Sequence, residues 1–218
     1  MVGLMSGRSV LVLGVDLQIA PIISSLLVSV VLLIGAIVVR RGLQTRPGRL
    51  QISLEMVYGY LTSTIRESLP EIAWGATPVI LTLFFYILLA NLVGLLPYIE
   101  SPTATISSTV GLALIVFSMM IYYGVKTKGV RGYLKSFLRP HFLFLPINIV
   151  ETLTKPVTLA FRLFGNIFAG ELLIVILVLL VPVVVPTAFS LFHIFIGLVQ
   201  AYLFFMLAIA YVAVACEE

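Results

Sequence analysis

Charge is what this sequence has least of. Only 10% of its 218 residues are Asp, Glu, Lys or Arg, where a soluble domain carries about 25%. With 61% of the chain hydrophobic, its surface would hold too few charges to stay dissolved, which excludes an ordinary soluble domain and leaves a polytopic membrane protein. A single cysteine, Cys216, rules out an internal disulfide and offers no cluster for a metal; it reads as a small apolar residue near a helix end. No G-x-x-x-x-G-K-[ST] stretch is present, so nucleotide is not held by a phosphate loop. No internal repeat is visible, so a transporter built from repeats has no direct support. The net charge of +4 does not point to nucleic acid, because the basic residues fall in two tight groups between apolar runs and read as topology signals.

What is present is a series of runs long enough to cross a bilayer. Residues 17–39 form the first, followed at once by Arg40 and Arg41, then Arg46 and Arg49. A cleaved signal peptide would carry its basic residues before the apolar core, so this is a retained span. The positive-inside rule then puts the N-terminus outside. Over residues 51–70, Leu54, Val57, Tyr58, Leu61, Ile65 and Leu69 recur at helical spacing against a polar face of Glu55, Thr62, Ser63, Arg66 and Glu67. That pattern predicts an amphipathic helix lying in the cytoplasmic interface. Spans follow at 76–97 and 106–124. The second leads back to Lys126, Lys128, Arg131, Lys135 and Arg139, on the same side as the first basic group. From 141 to 181 the apolar pattern is about twice as long as a perpendicular span requires. Either a strongly tilted helix or a break at Pro146 or Pro156 would accommodate it. Pro182 and Pro186 then make a turn, and residues 187–215 return to a cytoplasmic terminus. The fold class is therefore all-α: about five membrane-embedded helices, ending in a long tilted hairpin, plus one interfacial helix.

That hairpin carries Glu151, Lys155, Arg162, Glu171 and His193. A guanidinium cannot shed its proton, and at a bilayer centre it costs roughly 2.5–3.5 kcal/mol on insertion scales. At about 100° per residue, Glu151 and Arg162 lie about 20° apart on a helix, with Lys155 and Asn166 in the same stripe. Glu171 lies half a turn from Arg162 and about 13 Å along the axis, so the two are not an ion pair and serve different surroundings. In an antiparallel hairpin His193 reaches the level of Glu171, and His193 and Gln200 share a face. A Glu–His pair titrates near neutral pH and passes protons between hydrogen-bonded neighbours; the alternative is a buried structural pair. Lys155 reads as a snorkelling side chain. Gly165, Ala169 and Gly170 would let another helix approach closely.

The stretches "KPVTLAFRLFGNIFAGELLIVIL" and "FHIFIGLVQAYLFFMLAIAY" resemble the a subunit of F-type ATP synthases, the membrane stator that carries ions past the rotating c-ring. "ANLVGLLPY", "SPTATISSTVGLAL" and "YYGVKTKG" resemble it too, so the likeness runs from about residue 30 to the end. The resemblance implies roles. Arg162 matches the stator arginine facing the ring carboxylates, Glu171 and His193 the pair lining the outer half-channel, Gln200 and Asn166 the amides near the arginine, and Glu151 an acidic residue near the cytoplasmic outlet. It implies a bacterial plasma membrane, the c-ring, b-type peripheral stalk subunits and the rest of the F1Fo complex as partners, no cofactor, and no chemical step on this chain. One departure stands out: where many relatives carry an aspartate and then an asparagine after "SPTA", this chain has Thr105 and Ser107, leaving these and Glu100 as candidates for proton access from outside. Two rival readings remain at this point: a secondary transporter or proton channel acting alone, and a membrane subunit whose charges only fix helix packing.

Overall fold

Backbone polar groups in hydrocarbon must bond within their own segment, so a chain this apolar is forced into helices. The computed structural model describes residues 9–12, 15–42, 48–94, 101–138, 141–181 and 184–217. Two short strands, β1 (Ser9–Val12) and β2 (Val15–Gln18), pair antiparallel with Ser9 opposite Gln18. The helices are α1 (Ile19–Gly42), α2 (Arg49–Ser68), α3 (Thr77–Val93), α4 (Ile106–Ser136), α5 (Leu145–Leu180) and α6 (Val184–Cys216). Five of them, all but α2, are long and apolar enough to cross a membrane. The first helix thus begins at Ile19 rather than residue 17, because 15–18 are extended.

The centre of the molecule is α6, which packs against α3, α4 and α5. Its inner face alternates small and large groups, with Gly197, Ala201 and Ala208 beside Phe204, Phe205 and Val212, all buried. Phe205 meets Phe84 of α3 edge-on at 5.6 Å, a favoured geometry for aromatic pairs. By contrast α1 is peripheral. Val28 and Ser24 are buried on it, and the Ser25 hydroxyl shares a 2.7 Å hydrogen bond with that of Tyr86 on α3, while most of its other Leu, Ile and Val side chains are exposed. On α2 the predicted apolar stripe divides. Leu61 and Ile65, with Leu69 just beyond the helix, are buried against the bundle; Leu54, Val57 and Tyr58 are exposed.

Several boundaries differ from the apolar pattern. After a 3-10 turn at Glu71–Ala76, α3 ends at Val93 with Gly94 as its cap; Pro97 and Tyr98 lie outside the described residues, as do Arg46, Arg139 and Pro182. The helix that holds the span expected over 106–124 runs on to Ser136, so Lys126, Lys128, Arg131 and Lys135 are helical. Gly129 breaks it with φ 71° and ψ 162°, a region open essentially to glycine alone. The chain beyond folds back until the Tyr133 ring lies 2.6 Å from where a Gly124 Cβ would stand. Asn148 Nδ2 donates to the Phe137 carbonyl at 2.8 Å and fastens the end of α4 to the start of α5. Neither proline breaks α5: Pro146 sits in its first turn, where a missing N–H costs nothing, and Pro156 lies inside a helix that runs on unbroken. Likewise Pro186 belongs to the first turn of α6 rather than to the turn before it. At about 1.5 Å per residue α5 is ~54 Å long and α6 ~50 Å, against ~30 Å of hydrocarbon.

Candidate functional site

Two groups of polar residues meet between α5 and α6, at different levels along the hairpin. On the face toward α6, Asn166 Nδ2 donates to Gln200 Oε1 at 3.1 Å, which fixes the register of the pair. Towards the connecting turn, Glu171 and His193 line one small cavity of about 20 Å³ with Asn91, Gly94, Ser101, Ile167 and Ile174. That is room for about one water. His193 is 5% exposed, and its Nδ1 has no hydrogen-bond partner; Glu171 is half-buried. Gly170 makes this closeness feasible, since a Cβ there would collide with the His193 ring.

Arg162 stands elsewhere. It is exposed near the middle of α5, pairs with no carboxylate among the described residues, and is near enough to Tyr211 of α6 for the two to interact electrostatically. Glu151 lies further toward the N-terminal end of α5 and is exposed. Its Oε1 is 3.1 Å from Lys155 Nζ, one turn on, so Lys155 is ion-paired as well as long enough to snorkel. Such an exposed i,i+4 pair contributes only about 0.3–0.5 kcal/mol.

Of the residues considered for outer access, two are described. Glu100 lies outside the described residues. Thr105 precedes α4 with its hydroxyl 2.9 Å from that of Ser108, and Ser107 is exposed. Neither lines the cavity. What the sequence reading missed is a buried polar strand of contacts just beside it. Asn91 Nδ2 donates to the Gly197 carbonyl at 3.0 Å, Thr103 reaches Asn91 Oδ1 at a long 3.5 Å, and the Ser101 and Thr103 hydroxyls are 2.9 Å apart. An asparagine within an apolar span is a legible signal. The burial of Ser101 and Thr103 is not, because it depends on the 3-10 turn Pro102–Ala104 packing between α1, α3, α4 and α5.

A double-mutant cycle on Asn166→Leu and Gln200→Leu is expected to give a coupling of about 0.6 kcal/mol, with ~1.7 as an upper bound for intramembrane hydrogen bonds. Reversible unfolding in detergent or bicelles measures it, and a coupling of zero would show that the contact does not hold the register.

The arrangement offers a permanent cation on an open face and, half a turn away, an enclosed carboxylate–imidazole pair with room for water. The family model described as "ATP synthase A chain" matches residues 22–213. The "ATP synthase subunit a 1" of Crocosphaera subtropica is 37% identical over 196 residues, covering 89% of this chain and 85% of that protein. The "ATP synthase subunit a" of Desulforamulus reducens is 42% identical over 179 residues, 77% of this chain and 67% of its own length, and the "ATP synthase subunit a 1" of Hahella chejuensis is 39% identical over 197 residues, 90% and 84%. With a match that reaches all five membrane-length helices and covers the polar residues of the hairpin, this multi-pass membrane chain belongs to the ATP synthase A chain family.

Proposed function

We propose that the chain is the proton-translocating a subunit of a bacterial F1Fo ATP synthase, with no chemical step of its own. In this reading Arg162 faces the carboxylates of a c-ring, and b-type stalk subunits hold the chain against the rotor. Glu171 and His193, beside Asn91 and Ser101, line the half-channel open to the outside; Glu151 lies near the cytoplasmic outlet. The N-terminus is outside and the C-terminus cytoplasmic, which agrees with Arg40 and Arg41 and the basic part of α4 falling on one side.

The observation that carries the proposal is the separation of Arg162 from the Glu171–His193 cavity onto different faces of one helix. A ring carboxylate moving through lipid must be protonated, since a bare charge there is costly. Opposite Arg162 it is favoured as the anion. A proton must therefore leave on one side of the arginine and be replaced on the other, and an arginine between two offset half-channels obliges it to travel with the ring. Asn166 and Gln200, bonded to each other, hold α5 and α6 at the level of the arginine.

Glu171→Gln keeps the shape of the cavity but removes the titrating group. It is expected to lower passive proton conduction at least tenfold in vesicles stripped of the soluble head, with assembly intact. Conduction at the wild-type rate would remove Glu171 from the path. The chain reconstituted without a ring is expected to conduct no protons, and conduction under those conditions would favour the reading of a channel acting alone.

A further inference from the structure

A second opening lies away from the hairpin, between α3 and α4. It is a groove of about 460 Å³ lined by Ala76 and Val79 on one side and Ile115, Ser118, Met119, Tyr122 and Tyr123 on the other. Away from the two tyrosines its lining is apolar, since the Ser118 hydroxyl is turned back to the Leu114 carbonyl at 2.7 Å. Its mouth is not. Lys126 Nζ, one turn beyond, stands 5.9 Å from the Tyr122 ring centroid and 5.7 Å from that of Tyr123, a cation held over two aromatic faces. Among the described residues Lys126 forms no ion pair, and neither tyrosine hydroxyl has a hydrogen-bond partner. The 3-10 turn before α3 closes one wall, approaching so nearly that a Cβ on Gly75 would lie 2.7 Å from the Tyr123 hydroxyl.

We propose that this groove holds one anionic phospholipid of the leaflet at the basic end of α4. Its acyl chain lies along Val79, Ile115 and Met119, and its phosphate is bound by Lys126 and the Tyr122 and Tyr123 hydroxyls. Length and charge both favour this occupant. From Ile115 to Lys126 the helix rises about 16 Å, close to the ~15 Å depth of one leaflet. A polar mouth of one ammonium and two free hydroxyl donors complements a phosphodiester, whereas a transmembrane helix laid there would bury all three unpaired. The site rests on the membrane placement of α3 and α4 and not on the rotary reading.

The test equilibrates the full-length chain in detergent with equal phosphatidylglycerol and phosphatidylcholine and counts retained lipids by native mass spectrometry. The wild type is expected to keep one phosphatidylglycerol in preference. Lys126→Gln should weaken that preference about fivefold, the effect of one basic group at an anionic surface, and Lys126→Arg should preserve it. Val79→Trp, at an exposed position, should block retention by filling the groove with Lys126 intact. Tyr123→Phe removes only a hydroxyl and serves where a larger change perturbs folding; it too should reduce retention. Equal retention of the two lipids, an unchanged preference in Lys126→Gln, or competition by glycerophosphate at matched concentration would each overturn the assignment.

Discussion

Replacing Arg162 with alanine is expected to abolish ATP-driven acidification of inverted vesicles while leaving the complex assembled. The magnitude follows from the charge. Two unit charges about 4 Å apart interact by ~4 kcal/mol at an effective dielectric of 20, which corresponds to a carboxylate pKa lowered by roughly three units. Without the guanidinium, a ring carboxylate passing α5 keeps its proton, and no exchange is enforced. A second readout separates gate from anchor. With the soluble head removed, passive leak should rise in the alanine variant, because the fixed cation that repels a crossing proton is gone. Arg162→Lys should fall well short of wild type, since an ammonium is a compact charge that can lose its proton when buried against the ring. Acidification at the normal rate in Arg162→Ala would make the charge structural and send the search for the coupling residue elsewhere.

The next largest effect is expected at Gly170. Any side chain there meets the His193 ring, and that ring is almost fully buried, so it has nowhere to turn without opening α5 from α6. Gly170→Val should destabilise the hairpin by about 1–3 kcal/mol, the range for overpacked cores. It should also cut proton conduction severely by displacing the imidazole from the cavity it shares with Glu171. Pairing the change with His193→Ala makes room for the new side chain and should return most of the thermal stability of the assembled enzyme, without returning conduction. A Gly170→Val protein that melts like wild type would refute the close approach of the two helices.

Much of this was legible in the residues themselves. The all-α class followed from the scarcity of charge, and the antiparallel level of Glu171 with His193 followed from helix arithmetic alone. Their closeness, by contrast, depends on Gly170, which reads in sequence as one small residue among several. That the helix holding the 106–124 span runs on past Lys126 and Lys128 is not legible in hydropathy, because lysines near a membrane surface stay helical while their heads reach water; Gly129 is where it departs from helical geometry. Of the two readings open for residues 141–181, the unbroken helix is the one found, whereas Pro186 was expected in the turn. Pro156 stays within α5, where packing against neighbouring helices outweighs one lost hydrogen bond, and Pro186 sits in the first turn of α6, where no hydrogen bond is lost. The polar lining from Asn91 and Ser101, with Thr103 bonded behind it, was hidden for a different reason. It joins residues distant in sequence to Gly197 and Glu171, and no local pattern encodes that meeting.

The exposure of Arg162 has a consequence for how such a protein is made. A newly inserted copy presents a permanent cation to lipid from the middle of its longest helix, at a cost of roughly 2.5–3.5 kcal/mol that no change of protonation relieves. In the proposed assembly the c-ring covers that face; without it the face stays open. The residue that faces the rotor is thus also the one that an unassembled chain leaves open to lipid.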